Sequence, residues 1–220
     1  MNEVVLVSGT ETSLGGKLIE TILEQGSHVI VPFVGNATDI PDSGTENLTL
    51  FPWNRSSWFS TKTVIRESLR LFHQINSAWI LHSPIQNLPA LDGCTSSDID
   101  NVLEQNIKGF VALTREIIPA LKESNGFLGM VHAGSAEQSA DTLDAMAEGA
   151  FTGFAETFIR EAASSIWACG MHTASTDFDS FIAAMLKLRD EKPVQLRGRW
   201  YRHTDKQRLI KSLAYSNSIR

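Results

Sequence analysis

Short apolar runs alternate along this chain with longer segments whose apolar residues recur about every three to four positions. Val4 to Val7 is a β-branched run bounded by Ser8-Gly9, which predicts a buried strand. Leu14, Leu18, Ile22 and Leu23 then share one helical face, stopped by Gly26. Val29 to Val34 predicts a second strand, ended by Gly35-Asn36. A loop rich in Asp, Pro, Ser and Gly, from Asn36 to Asn47, leads to a third strand at Leu48 to Phe51. Val64 to Phe72 has helical spacing, and Ala78 to Leu81 predicts a fourth strand closed by Pro84. Asp98 opens a long helix through about Lys122, capped by Ser96 or Ser97. Phe127 to Val131 reads as a fifth strand, and a polar loop from His132 to Asp141 precedes a second long helix, about Leu143 to Ser164. Ile166 to Met171 reads as a sixth strand, Phe178 to Arg189 as a helix, and Pro193 to Trp200 as the last strand.

Strand and helix alternating in this way imply an α/β chain with a parallel sheet covered on both faces. The expectation is one Rossmann-type, doubly wound domain over residues 1–220, in three layers of helices, sheet and helices. No internal repeat, low-complexity segment or second domain is visible. The 220 residues suffice for a sizeable core, and the apolar fraction of 42% is that of a globular protein.

Charge and cysteines narrow the function classes. The formal net charge of -6 comes without a basic block, so nucleic acid is not an expected partner. No apolar run approaches the roughly 18 residues that cross a bilayer, and Met1-Asn2-Glu3 has no positive region of the secretory kind, so the expected location is cytoplasmic and away from the membrane. Cys94 and Cys169 have neither metal spacing nor a disulfide framework, and no metal site is expected.

Four segments in order resemble the short-chain dehydrogenase/reductase family, over nearly the whole chain and least after Met171. Val4-Val5-Leu6-Val7-Ser8-Gly9 followed by Ser13-Leu14-Gly15 resembles the family's Thr-Gly-x-x-x-Gly-x-Gly, with Gly9 and Gly15 kept and Ser13 at the middle glycine. Gln105 to Phe110 resembles the central-helix segment whose asparagine, here Asn106, holds a water of the proton relay. Gly126 to Ser135 resembles the strand that ends at the catalytic serine, here Ser135. Ala150-Phe151-Thr152-Gly153-Phe154 resembles the start of the helix after Tyr-x-x-x-Lys, which places the tyrosine at Asp144 and the lysine at Glu148.

The resemblance implies an oxidoreductase scaffold without its usual chemistry. In the family a tyrosine hydroxyl moves the substrate proton while hydride passes to or from nicotinamide, and a lysine tunes that tyrosine and holds the ribose. A carboxylate at Asp144 has no proton to give at neutral pH, and an ionised Glu148 cannot donate to ribose hydroxyls. The chain has two tyrosines, Tyr201 and Tyr215, and neither begins a Tyr-x-x-x-Lys. On the cofactor side, Ser13 adds a side chain where backbone should approach phosphate, and Glu11 puts a negative charge there. Phe33 stands where an acid grips the adenosine ribose, His82 falls in Leu81-His82-Ser83-Pro84 where the family has Asn-Asn-Ala-Gly, and Cys169-Gly170-Met171-His172 replaces a Pro-Gly. The cofactor-binding positions Gly9, Ser13, Gly15, Phe33 and His82 therefore read as degenerate. No cofactor is expected, and NAD is the one if any is bound.

Asn106 and Ser135 are relay remnants or simply satisfy local backbone groups, the second being favoured. Asp144 and Glu148, four apart on one helix face, are favoured as solvated carboxylates near a helix start over an acid/base pair. His82 and His132 end adjacent predicted strands and are expected to approach one another as hydrogen-bonded histidines. Trp53 and Trp58 flank Asn54-Arg55, either over a vacant adenine cleft, as a partner anchor, or in the core. The basic tail, Arg197 to Arg220, reads as a solvated face or a rim against an acidic neighbour.

The two long helices, about 98–122 and 143–164, are apolar around much of their circumference, and Gly149, Ala150, Gly153 and Ala155 permit close approach. In the resembling family this helix pair meets its counterpart in a second subunit. The resulting expectation is a non-catalytic subunit that pairs through these helices with itself or with an active paralogue, in an NAD(P)-dependent alcohol/ketone dehydrogenase complex such as a heterotetramer. It resembles the inactive subunit type of heteromeric hydroxybenzylsuccinyl-CoA dehydrogenase. The alternatives are an active oxidoreductase with an atypical site and a nucleotide-sensing regulator.

Overall fold

The computed structural model describes residues 3–34, 46–82, 88–134, 142–175 and 177–203. Pro84, Ser135, Tyr215 and the basic tail beyond His203 lie outside the described residues. In chain order the elements are β1 (Val4–Ser8), α1 (Ser13–Glu24), β2 (His28–Phe33), β3 (Leu48–Pro52), α2 (Trp58–Phe72), β4 (Ser77–His82), α3 (Ser96–Leu103), α4 (Gly109–Glu123), β5 (Phe127–Ala133), α5 (Thr142–Ala162), β6 (Trp167–Thr173), α6 (Phe178–Glu191) and β7 (Trp200–His203). The strands form one seven-stranded sheet in the order β3-β2-β1-β4-β5-β6-β7, every pair parallel. This is the doubly wound α/β arrangement that the alternating pattern implies.

Side-chain alternation along the strands splits the core in two. Val5, Val7, Trp79, Cys169, Met171 and Tyr201 face one way and pack with α1 and α6. Val4, Leu6, Ile80, Met130 and Ala168 face the other way and pack with α2, α4 and α5. Val102 of α3 joins Leu143 and Ala147 of α5 in a small third cluster. Because strands buried on both faces have no polar side, their sequences are continuous apolar runs rather than alternating ones.

Three details differ from the sequence expectations. The helix expected from Asp98 to Lys122 is interrupted at Glu104–Lys108 by a π-helical turn, in which the Gly109 N–H donates to the Glu104 carbonyl. Its cap is Thr95 rather than Ser96 or Ser97, in a reciprocal capping box with Asp98. The last strand is Trp200–His203, not Pro193 to Trp200. Val194–Leu196 forms a 3-10 turn after Pro193, with Val194 82% exposed, so this apolar cluster is not strand.

Candidate functional site

In the strand order, β1 sends the chain to β2 on one side while β4 lies on the other, so the crevice beyond the C-terminal ends of β1 and β4 is the topological switch point. The turn that leaves β1 is built for close approach. Gly9 has φ of +76°, and a Cβ there would lie 2.0 Å from the Leu81 carbonyl oxygen of β4. A Cβ on Gly15 would lie 2.6 Å from the Thr10 Cα. Thr12 caps α1, its Oγ1 accepting from the Gly15 N–H at 3.1 Å. Ser13 is the first helical residue and is exposed.

Across this turn lies Arg55, just after β3, with only 5% of its side chain exposed. Its guanidinium donates from Nη2 to Glu11 Oε1 and lies 5.0 Å from the Trp53 ring centre and 4.9 Å from that of Phe110. Gly109 makes room for it, since a Cβ there would meet the Arg55 Cβ at 2.6 Å. Trp53 is a core residue whose Nε1 donates to Thr61 Oγ1 at 3.0 Å. Phe33 ends β2 and packs, partly buried, against the α1/α6 side of the core.

Further along the same edge, the parallel register sets His82 beside His132 and His132 beside His172. By strand parity all three lie on the α2/α4/α5 side of the sheet. His82 and His132 approach as the strand order implies, with Nδ1 to Nδ1 at 3.3 Å. His82 stacks on Phe151 at 4.7 Å between centroids, and His132 on His172 at 5.0 Å. Burial pushes His82 down to about 3, helped by His132 and Arg55. Burial also lowers His132 to about 4, against the pull of Asp144, and His172 to about 4. The row is therefore neutral at physiological pH.

Two ring nitrogens in contact share one proton. Glu148 Oε1 lies 3.0 Å from His132 Nε2. A proton on His132 Nε2 faces that carboxylate favourably, whereas a lone pair would oppose it. His132 thus carries its proton on Nε2 and accepts from the Nδ1–H of His82. The contact with Glu148 is off-line for a hydrogen bond and is electrostatic in character. Asp144 is 4% exposed, so it is a buried carboxylate beside a histidine. The solvated pair favoured from sequence is replaced by one buried acid and one half-buried acid turned onto an imidazole.

Asn106 lies in the π-helical turn and its Nδ2 donates to the Val102 carbonyl at 3.3 Å, a local backbone role. Tyr201 is buried on the α1/α6 face against Cys169, opposite the histidine row, and burial raises its hydroxyl far above the ordinary range. It cannot supply a phenol to the crevice. Among the described residues no group of His, Cys, Asp or Glu is arranged to hold a metal ion, and no helix is long and apolar enough to cross a membrane. His172 and Arg55 are the site residues that sequence reasoning left unused. His172 was findable from its register with His132, but nothing local to Arg55 points to Glu11.

No protein-family model matches the chain, and no curated protein sequence resembles it significantly. Solved structures do. A 3-ketoacyl-(acyl-carrier-protein) reductase from Brucella melitensis, complexed with NADH, superposes with a TM-score of 0.74 at 13% identity, over 91% of this chain and 96% of that one. A putative 3-oxoacyl-reductase from Bacillus thuringiensis gives 0.73 at 13% identity, over 96% and 100%. A Serratia marcescens short-chain dehydrogenase/reductase mutant gives 0.72 at 12% identity, over 91% and 96%. At such identities the likeness is one of architecture, and this chain has the fold of the short-chain dehydrogenases/reductases.

Proposed function

We propose that the chain is a non-catalytic subunit on a short-chain dehydrogenase/reductase scaffold, pairing through the α3–α4 segment and α5 with itself or with an active paralogue. The observation that carries this reading is Glu148. The acid at the position where the resemblance expects a ribose-holding ammonium is turned onto His132, inside a row of neutral imidazoles. That group can neither lower a phenol's pKa nor donate to sugar hydroxyls while ionised.

The phosphate end supports the same reading. A dinucleotide at the switch point needs its pyrophosphate against the turn before α1. Glu11 sets a carboxylate there and is held by Arg55. The residues present do not fit NAD.

The assembly half of the reading rests on α5. Cβ atoms added to Gly149 or Gly153 would meet nothing within 4 Å, so that side of the helix is smooth and open. Phe154 and Phe158 stack at 5.6 Å beside it, and Met146 is exposed. Close helix approach needs such small residues next to apolar ones.

Purification of the tagged chain from its native host tests both halves. The expected result is an oligomer, alone or with a sister chain carrying Tyr-x-x-x-Lys, and no nicotinamide turnover by this chain alone. A well-behaved monomer would overturn the pairing, and turnover by the lone chain would overturn the non-catalytic assignment.

A further inference from the structure

Among the described residues, two buried and unpartnered polar atoms near the switch point can donate to an anion: Ser8 Oγ at the end of β1 and Arg55 Nε just after β3. His82 Nε2 at the end of β4 is also unpartnered but, with its proton on Nδ1, only accepts, which suits a water or hydroxyl beside the anion. Ser8 and His82 share the α2/α4/α5 side by strand parity. Arg55 and His82 both pack on the ring of Phe110, and Arg55 acts electrostatically on His82. Such orphans normally find a water or ligand group. Here they include a buried cation with a donor to spare.

The turn itself adds to this. The first amides of a helix have no helical acceptor, and Thr12 takes that of Gly15 through its side chain. The positive end of α1 thus lies next to a guanidinium, which meets Glu11 in the turn just before the helix. Among the described residues, the anion that meets the guanidinium there is Glu11. Its side chain is 52% exposed and free to swing into solvent, whereas Arg55 is fixed by Trp53, Phe110 and Gly109.

We propose that Arg55 anchors a latent anion site at the β1/β4 crevice and that Glu11 is its internal occupant, excluding phosphate-bearing ligands until it is displaced. This rests on the reading that the crevice has left dinucleotide use, and it supplies a mechanism for that exclusion. The ligand class is a compact phosphate or pyrophosphate group, whose oxygens match a guanidinium fork and helix amides.

Inorganic pyrophosphate is the probe, titrated calorimetrically into the full chain and into Glu11→Gln and Glu11→Ala. Both substitutions are at a half-exposed side chain and leave the core intact. Affinity is expected to rise by about tenfold or more in each, the worth of one hydrogen bond to a charged group. Adding Arg55→Met to Glu11→Ala is expected to abolish the gain. If that protein does not fold, Arg55→Lys replaces it, and loss of most of the gain is expected because an ammonium lacks the fork. No gain in folded Glu11 variants, equal binding by the unmodified chain, or a gain that survives loss of Arg55 would each overturn the proposal. NADH turnover by the unmodified chain would instead overturn the non-catalytic reading, whatever the Glu11 variants do.

Discussion

His82 and His132 are buried, touching and neutral, and their cost appears when the solution turns acid. Both folded-state values lie below the ordinary 6.5, at about 3 and about 4, with burial the leading cause in each. Between about pH 6.5 and pH 4 the unfolded chain binds protons that the folded chain refuses. Stability is therefore full above about pH 6.5 and declines as pH falls toward the folded values. The decline is up to about 1.4 kcal/mol per pH unit for each such imidazole. Urea midpoints measured from neutral to mildly acid pH should show this slope, and His132→Asn should flatten it. At this scale the sequence was legible only where strand register carried the information. His82 and His132 could be paired from the ends of adjacent strands. The Arg55–Glu11 contact could not, because it joins a post-strand residue to a turn through space that only the packing of Phe110 and Gly109 defines.

Among the elements, two strand glycines are shaped by tryptophans on their neighbours. The register sets Trp79 beside Gly129 and Trp200 beside Gly170, and a Cβ would lie 2.1 Å from the first indole and 1.7 Å from the second. Gly129→Ala in β5 should destabilise by about 1–3 kcal/mol through overpacking, since Trp79 is fully buried. A lower urea midpoint with an unchanged slope would show it. The early strands and the helices that cover them were readable because runs buried on both faces are short, apolar and bounded by turn residues. The π-helical turn was not, because one extra residue in a turn leaves the apolar pattern nearly unaltered. Its effect is to re-phase the helix, so that Val102 meets Leu143 and Ala147 while Phe110, Leu113 and Ile117 meet the sheet. The last strand was misplaced because Val194 and Leu196 imitate a strand start that Pro193 bends into a 3-10 turn.

The whole molecule is a seven-stranded parallel sheet whose C-terminal edge carries the Arg55–Glu11 pair and the histidine row, and whose α5 presents an open, small-residue surface. If that surface seats a partner, Gly149→Trp and Gly153→Trp should break the assembly while leaving the helical circular-dichroism spectrum of the chain nearly unchanged, since each indole enters free space in the lone chain. Native mass spectrometry reads the first and circular dichroism the second. Retained assembly in both variants would move the interface elsewhere. The non-catalytic assignment is tested most directly by following nicotinamide absorbance with purified chain, NADH or NADPH, and a panel of ketones, with the reverse reaction on alcohols. No change above the protein-free blank is expected. Turnover at an ordinary enzymatic rate, lost on Glu148→Gln, would contradict it.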